Sequence, residues 1–151
     1  MILIFFVKKY PDKIQIPEDA DLFYLGVSRW GMIRNHKAMR KRVWAKDFNS
    51  KIVQVFNMLT MHGILICSPS GALAIQKSMC EGYYENIIWD EYVAKVQQCY
   101  KVYALRHPLF YQNKDLGGHK DTDIILSKKI YSMPEKIPKF NDLSIKICQM
   151  K

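Results

Sequence analysis

The chain has 151 residues, of which 49% are hydrophobic, and it carries 23 lysines and arginines against 14 aspartates and glutamates, a net charge of +9. This length and apolar content predict one domain with a sizeable core. The positive charge favours anionic partners, such as nucleic acid, acidic membrane surfaces or nucleotide phosphates, and selects none of them.

The cysteines are widely spaced, at Cys67, Cys80, Cys99 and Cys148. They form no Cys-x-x-Cys pair and have no histidine nearby at zinc spacing, which argues against a zinc finger or ribbon. We expect them to be reduced, in a cytoplasmic protein. The apolar start MILIFFV is too short to cross a bilayer and lacks the features of a signal peptide, so we expect a buried strand or helix start and no membrane span.

Residues 19–28 are the first predicted element, a buried strand, because they form a short apolar and aromatic run that Gly26 ends. The segment 29–47 carries seven basic residues and two tryptophans. It fits either a loop with a short helix or strands on both sides of a basic turn. Residues 63–67 predict a second buried strand, since large and β-branched apolar residues predominate there.

A helix is predicted to begin directly after that strand. Ser68 fits the N-cap, and Pro69 fits the first helical position, where its missing N–H costs nothing. We expect this helix to run to about Cys80 and to stop at Gly82. A strand followed at once by a capped helix is the repeating unit of an α/β fold.

Residues 89–100 predict a second helix, and residues 101–105 predict another strand. The apolar residues on one face of that helix are Tyr92, Val93, Val96 and Tyr100. The order strand, helix, helix, strand favours a mixed α/β domain over residues 1–126. A basic tail that contains prolines follows over residues 127–151.

Five stretches in this order resemble motifs of glycosyltransferase family 25, which includes lipopolysaccharide and procollagen galactosyltransferases. The stretches are IPEDADLFYLG, MLTMHGILICSPSGALAIQKS, IIWDEYVAKV, YKVYALRHPLFYQN and KDTDI. The resemblance implies a mixed-sheet, GT-A-like domain that transfers a sugar from a UDP-sugar donor to a hydroxyl acceptor, which is a glycan, a lipid-linked sugar or a protein. It also implies a Mn²⁺ or Mg²⁺ ion that is held between the diphosphate and acidic side chains.

The chain departs from the family pattern at its beginning. The family's acidic metal-binding cluster closes a strand upstream of the element matched by residues 16–26, but Lys8 and Lys9 stand at that place here. The resemblance therefore covers only the carboxyl-terminal part of the catalytic domain, and the metal ligands cannot be identified in this chain. We expect an incomplete enzyme, a remnant of one, or an enzyme whose donor-binding half is supplied by a partner chain.

The resemblance places Asp90, with Glu91 beside it, where the family has an acid that serves acceptor binding or proton abstraction. Acids in the first turn of a helix also suit the helix dipole, and this explains Asp90 about equally well. The residues assigned to substrate binding are His62, Asp21, Gln112 and Asp123.

These substrate-binding assignments have structural alternatives. Asp19 and Asp21 fit a turn in which either carboxylate caps local backbone. Asp121 and Asp123 fit a solvated loop, and His62 fits a hydrogen-bonded structural histidine.

Two functions of other classes also fit the sequence. A small basic nucleic-acid-binding protein is favoured by the charge and by the basic, tryptophan-containing residues 29–46, with a helix and hairpin over residues 50–77 that resemble a winged helix. A non-catalytic interaction module would keep the fold without the chemistry.

Overall fold

The computed structural model describes residues 14–31, 43–84, 86, 89–110 and 126–135. The strands are β1 (Leu22–Tyr24), β2 (Trp44–Asp47), β3 (Ile52–Asn57), β4 (Ile64–Ile66) and β5 (Val102–Leu105). The helices are α1 (Pro69–Tyr84) and α2 (Trp89–Val96), and a 3₁₀ turn at Gln97–Cys99 follows α2. The predicted mixed α/β class is confirmed for these residues.

The described strands form one sheet in the order β2-β3-β5-β1-β4. Strands β1 and β5 are parallel, and the other neighbouring pairs are antiparallel. All four residues of the central strand β5 are buried, which accounts for its uninterrupted apolar sequence. The strands predicted at residues 63–67 and 101–105 thus belong to the same sheet, with β1 between them.

Strand β4 departs from its prediction as a buried strand. Among the described strands it pairs with β1 alone and lies at an edge, with Leu65 37% exposed and Ile66 54% exposed. An apolar run gives the same local signal in an edge strand as in a central strand. Its burial depends on which strands pair with it.

Helix α1 begins where the sequence predicted. The Gly71 N–H donates to Ser68 Oγ at 3.0 Å, so Ser68 is the N-cap. The helix continues past Cys80 to Tyr84, and Gly82 is buried within it. The buried residues of α1 are all small, namely Gly71, Ala74, Ser78 and Gly82. Gly82 therefore permits close packing and does not terminate the helix, contrary to the prediction.

The apolar face predicted for the second helix is confirmed. Tyr92, Val93 and Val96 are fully buried, and Tyr100 is 4% exposed. Three of these residues join Leu22, Tyr24 and neighbouring strand residues in the main core between the helices and the sheet. A smaller cluster on other strand positions contains Ala20, Phe23, Ile52, Tyr103 and Leu105.

The described part of the predicted tail packs against the domain. Tyr131 is 5% exposed and forms a parallel bridge with Val43, and the Ser132 N–H donates to the Val43 carbonyl at 3.1 Å. Leu126, the last residue before the predicted tail, is fully buried. The predicted boundary between a domain over residues 1–126 and a tail over residues 127–151 stays a prediction.

Candidate functional site

The carboxyl ends of the parallel strands β1 and β5 define one end of the sheet. In open α/β sheets, ligands bind in the crevice outside the carboxyl ends of the strands. Strand β4 runs antiparallel to β1 and starts at this end, since Ile64 pairs with Tyr24. Helix α2 ends at the opposite end, because Gln97, the residue after it, bonds Met58, which follows β3 at the amino end of its antiparallel neighbour β5. Its first turn lies about 10 Å earlier along the helix axis, away from Gln97.

Asp90 and Glu91 occupy the first turn of α2. Asp90 is half-buried, whereas Glu91 is only 9% exposed, so Asp90 is the more accessible of the two carboxylates. The negative charge of Asp90 contributes to raising the pKa of Tyr24, although burial of the phenol is the larger cause. The Asp90 carboxylate therefore lies within electrostatic range of the Tyr24 hydroxyl, which belongs to the last residue of β1.

A buried hydrogen-bond network joins this end of the fold to the core. The Gln97 side chain accepts from the Met58 N–H at 2.7 Å and donates to the Met58 carbonyl at 3.0 Å. Its Nε2 also donates to the Tyr24 hydroxyl at 3.1 Å. Because Gln97 and Tyr24 are both fully buried, this network fixes Tyr24 relative to the residues that follow α2.

His62 lies beside Gly26, just beyond the end of β1. A Cβ atom on Gly26 would approach His62 Cδ2 to 2.2 Å, so only glycine permits this contact. His62 Nδ1 shares a 2.8 Å hydrogen bond with Thr60 Oγ1. Burial lowers the pKa of His62 from its ordinary value of 6.5, which favours the neutral imidazole at pH 7.

Asp21 lies at the opposite end of the sheet. Its carboxylate accepts from the Ser68 hydroxyl at 2.6 Å and from the Lys101 N–H at 2.9 Å, and its carbonyl accepts from the Cys67 N–H at 2.9 Å. Asp21 therefore ties β1 to β5 and to the start of α1. The sequence predicted, as an alternative, that this carboxylate caps nearby backbone. The backbone N–H that it binds belongs instead to Lys101, in a distant part of the chain.

Asp19 and Asp21 have different partners despite their Asp-x-Asp spacing. The Tyr103 hydroxyl donates to the Asp19 carboxylate at 2.9 and 3.1 Å, and Lys101 Nζ lies 3.9 Å from Asp19 Oδ2. Burial and the Asp19 carboxylate raise the pKa of Tyr103 to about 12. Within the described ranges, no group of three or more His, Cys, Asp or Glu side chains could hold a metal ion.

Two of the predicted substrate-binding residues, Gln112 and Asp123, lie outside the described residues, as does Asp121. Of the residues that can be compared, His62 lies at the carboxyl end of β1, and Asp90 and Glu91 lie in the first turn of α2. Asp21 belongs to the other end of β1. The predicted residues are therefore not all brought together.

A polar cluster that the sequence did not predict holds the carboxyl-terminal segment. Arg106 pairs with Asp47 at 2.5 Å, and its guanidinium donates to the Tyr131 hydroxyl at 2.8 Å and to the Leu126 carbonyl at 3.1 Å. The Tyr131 hydroxyl also donates to Asp47. Hydrogen bonds from Tyr131 and Arg106 lower the pKa of Asp47 to about 2. These residues are far apart in sequence, and no local pattern links them.

The cysteines differ in state. Cys67 and Cys80 are exposed free thiols, and burial, with the nearby Asp21 charge, raises the pKa of Cys67. Cys99 is in a disulfide, which contradicts the expectation that all the cysteines are reduced. No helix in the described ranges is long and apolar enough to cross a membrane.

Most of the positive charge lies outside the described fold. The described ranges hold nine lysines and arginines against eight aspartates and glutamates, a balance of about +1, while the whole chain carries +9. Residues 32–42 alone contain five basic residues and no acidic residue. The described core therefore offers no strong excess of positive charge to an anionic partner.

A scan against models of protein families, a search of curated proteins and a search of solved structures each find no match to this chain.

Proposed function

We propose that this chain is a sugar-transfer domain, or the acceptor-side part of one, that acts on a UDP-sugar and a hydroxyl acceptor. The proposal starts from the resemblance to glycosyltransferase family 25. One observation carries it further. His62 lies at the carboxyl end of β1, one of two parallel strands in a single sheet, where ligands of open α/β sheets bind, and Asp90 opens the helix whose other end is tied to Met58.

In this proposal Asp90 takes the proton from the attacking acceptor hydroxyl. The oxygen forms a bond to the anomeric carbon, and the bond from that carbon to UDP breaks. Glu91 assists as a neighbouring acid, and His62, Gln112 and Asp123 contact the substrates. Asp21 keeps its structural contacts and has no part in the transfer, because its carboxylate already accepts two hydrogen bonds at the other end of the sheet.

Donor binding requires groups beyond those in the described residues. A Mn²⁺ or Mg²⁺ ion would neutralise the departing diphosphate, and we propose that its ligands come from a partner chain that supplies the donor-binding half. In this proposal the chain alone binds the acceptor, provides the base and holds the donor weakly, so it releases UDP slowly. With the donor half present the transfer reaches its full rate.

The test compares Asp90→Asn with Glu18→Gln, an exposed acid at the other end of the fold. UDP release is measured with Mn²⁺, a panel of UDP-sugars and hydroxyl acceptors, together with the thermal shift that each donor causes. Removing a general base costs about 10²- to 10⁴-fold in rate, so the asparagine variant should lose activity while the glutamine variant keeps it. Equal rates in the two variants would refute the role of Asp90, and no response to any donor would exclude a self-sufficient enzyme.

A second candidate function is binding to nucleic acid, and the charge of residues 32–42 favours it. Changing Arg40, Lys41 and Arg42 to alanine should then weaken binding to DNA or RNA and reduce its dependence on salt concentration. Binding that the triple variant leaves unchanged would remove this candidate. An interaction module without chemistry predicts that Asp90→Asn changes nothing.

A further inference from the structure

We infer that Thr60 and Gly26 are positioning residues for His62, and that the imidazole they hold hydrogen-bonds the acceptor hydroxyl whose proton Asp90 takes in the proposed transfer. The inference rests on the proposed function, because it assigns a task within the same site. It gives Thr60 and Gly26 a part in the site that the sequence pattern did not indicate.

Gly26 fixes the place of the His62 ring by close contact. A Cβ atom at Gly26 would lie 2.2 Å from His62 Cδ2, 2.7 Å from Nε2 and 2.4 Å from the His62 carbonyl oxygen. Side-chain atoms do not approach so closely, so the ring and the backbone of His62 both rest against the bare Gly26 backbone. Any larger residue at position 26 would displace the imidazole from the end of β1.

The residue after His62 fixes the backbone from the other side. Gly63 has φ of +65°, a conformation that favours glycine, and its carbonyl accepts from the Leu25 N–H at 2.6 Å. Phe110 packs against Gly63, since a Cβ there would lie 3.0 Å from the ring. Gly63 is therefore held by Leu25, the residue after β1, and by Phe110, in the segment that follows β5, as a preorganised site requires.

Thr60 fixes the ring's rotation and its tautomer. Its hydroxyl lies 2.8 Å from His62 Nδ1, and the residue is only 4% exposed. If the hydroxyl donates, the ring proton is on Nε2, which then donates to a ligand. If the hydroxyl accepts, Nε2 is an acceptor. Either arrangement gives Nε2 one defined role, and a sugar hydroxyl satisfies both because it donates and accepts.

The half-buried environment suits this task. Burial disfavours the imidazolium, so the ring acts as a neutral hydrogen-bond partner. A neutral hydrogen bond orients a hydroxyl without removing its proton, which leaves proton transfer to the carboxylate. The two side chains thus have separate tasks in the same reaction.

The test uses the full chain with Thr60→Val, which keeps the shape and removes the hydroxyl, and Thr60→Ser, which restores it. Ring ¹⁵N shifts of His62 are assigned with His62→Gln and are followed during titration with methyl β-D-galactopyranoside, a hydroxyl probe chosen from the resemblance. UDP release from UDP-galactose with Mn²⁺ is measured against the same probe. Glu18→Gln is the control.

We expect the valine variant to mix the two ring tautomers and to weaken probe binding about three- to tenfold, as the loss of one neutral hydrogen bond implies. The KM for the probe should rise with little change in kcat, and the serine variant should stay within about twofold of the original protein. Unchanged ring shifts and probe affinity in the valine variant would overturn the inference, as would failure of serine to restore them.

The two proposals fail separately. If Asp90→Asn and Glu18→Gln release UDP equally fast, the proposed function fails, and titration of the His62 ring by the galactoside still decides this inference. A saturable shift that Thr60→Val weakens supports it, and a ring that does not respond overturns it. If Asp90→Asn abolishes UDP release but Thr60→Val leaves the KM unchanged, only the role of His62 is wrong.

Discussion

Gln97 offers the sharpest test of how the core is held together. Its amide bonds the N–H and the carbonyl of Met58 and the hydroxyl of Tyr24, and all three residues are fully buried. In Gln97→Leu, the two backbone groups of Met58 lose these partners inside the core. An unsatisfied buried group costs about 1–3 kcal/mol, so the free energy of unfolding should fall by about 2–6 kcal/mol. That is a large share of the roughly 5–15 kcal/mol typical of a domain.

Two further variants isolate the cause. Tyr24→Phe leaves one Gln97 N–H without its acceptor, while Gln97 keeps both bonds to Met58, so the loss should be about 1–3 kcal/mol, below that of Gln97→Leu. Gln76→Leu makes the same chemical change at an exposed position of α1 and should stay within about 0.5 kcal/mol of the original protein. Urea unfolding gives the three values, with a constant m-value as the check on two-state behaviour. The reasoning is refuted if Gln97→Leu and Gln76→Leu unfold at the same urea concentration, or if Tyr24→Phe costs as much as Gln97→Leu.

The other predictions concern α1 and two titrating groups. Ser68→Ala removes the N-cap and a donor to Asp21, and urea unfolding should show a loss of about 1–2 kcal/mol; an unchanged midpoint would contradict the cap. Gly71→Ala should destabilise by about 1–3 kcal/mol in the same assay, because its Cβ would lie 2.2 Å from the Asp21 carbonyl oxygen, whereas alanine normally improves a helix. The pKa of Asp47 is about 2 in the folded chain and 3.8 ordinarily. The ionised Asp47 carboxylate therefore stabilises the fold fully above pH 3.8, and this stabilisation is lost as the pH falls toward 2. Asp47→Asn should remove this pH dependence from the thermal melting temperature. The lowered pKa of His62 means that acidification below pH 6.5 favours the unfolded chain, and His62→Gln should reduce that slope.

Some of the candidate site was predictable from sequence because its placement follows from local signals. The cap at Ser68 and the acids at Asp90 and Glu91 mark helix starts, and His62 directly precedes an apolar strand. Each position is set by neighbours a few residues away, which is the range over which caps and periodicity act. The partners of these side chains were not predictable in the same way. Thr60 stands two residues from His62, but nothing in the sequence indicates that their side chains meet.

The cluster of Asp47, Arg106 and Tyr131 shows the opposite case. Its members are separated by dozens of residues and converge only because β2, the end of β5 and the carboxyl-terminal segment meet in space. The role of Asp21 could not be predicted from the sequence for the same reason. Its carboxylate accepts from the backbone N–H of Lys101, 80 residues away, and the local Asp-x-Asp spacing does not predict that contact.

The amino-acid sequence by itself determined the class of the fold, the start of α1 at Ser68 and the buried face of α2, because apolar periodicity and capping depend on nearby residues. Only the tertiary structure decided that β4 is an edge strand, that α1 continues through Gly82, and that Asp21 and His62 lie at opposite ends of β1. Strand order and register depend on pairing between distant segments, and the free energy of that pairing belongs to the whole packed core.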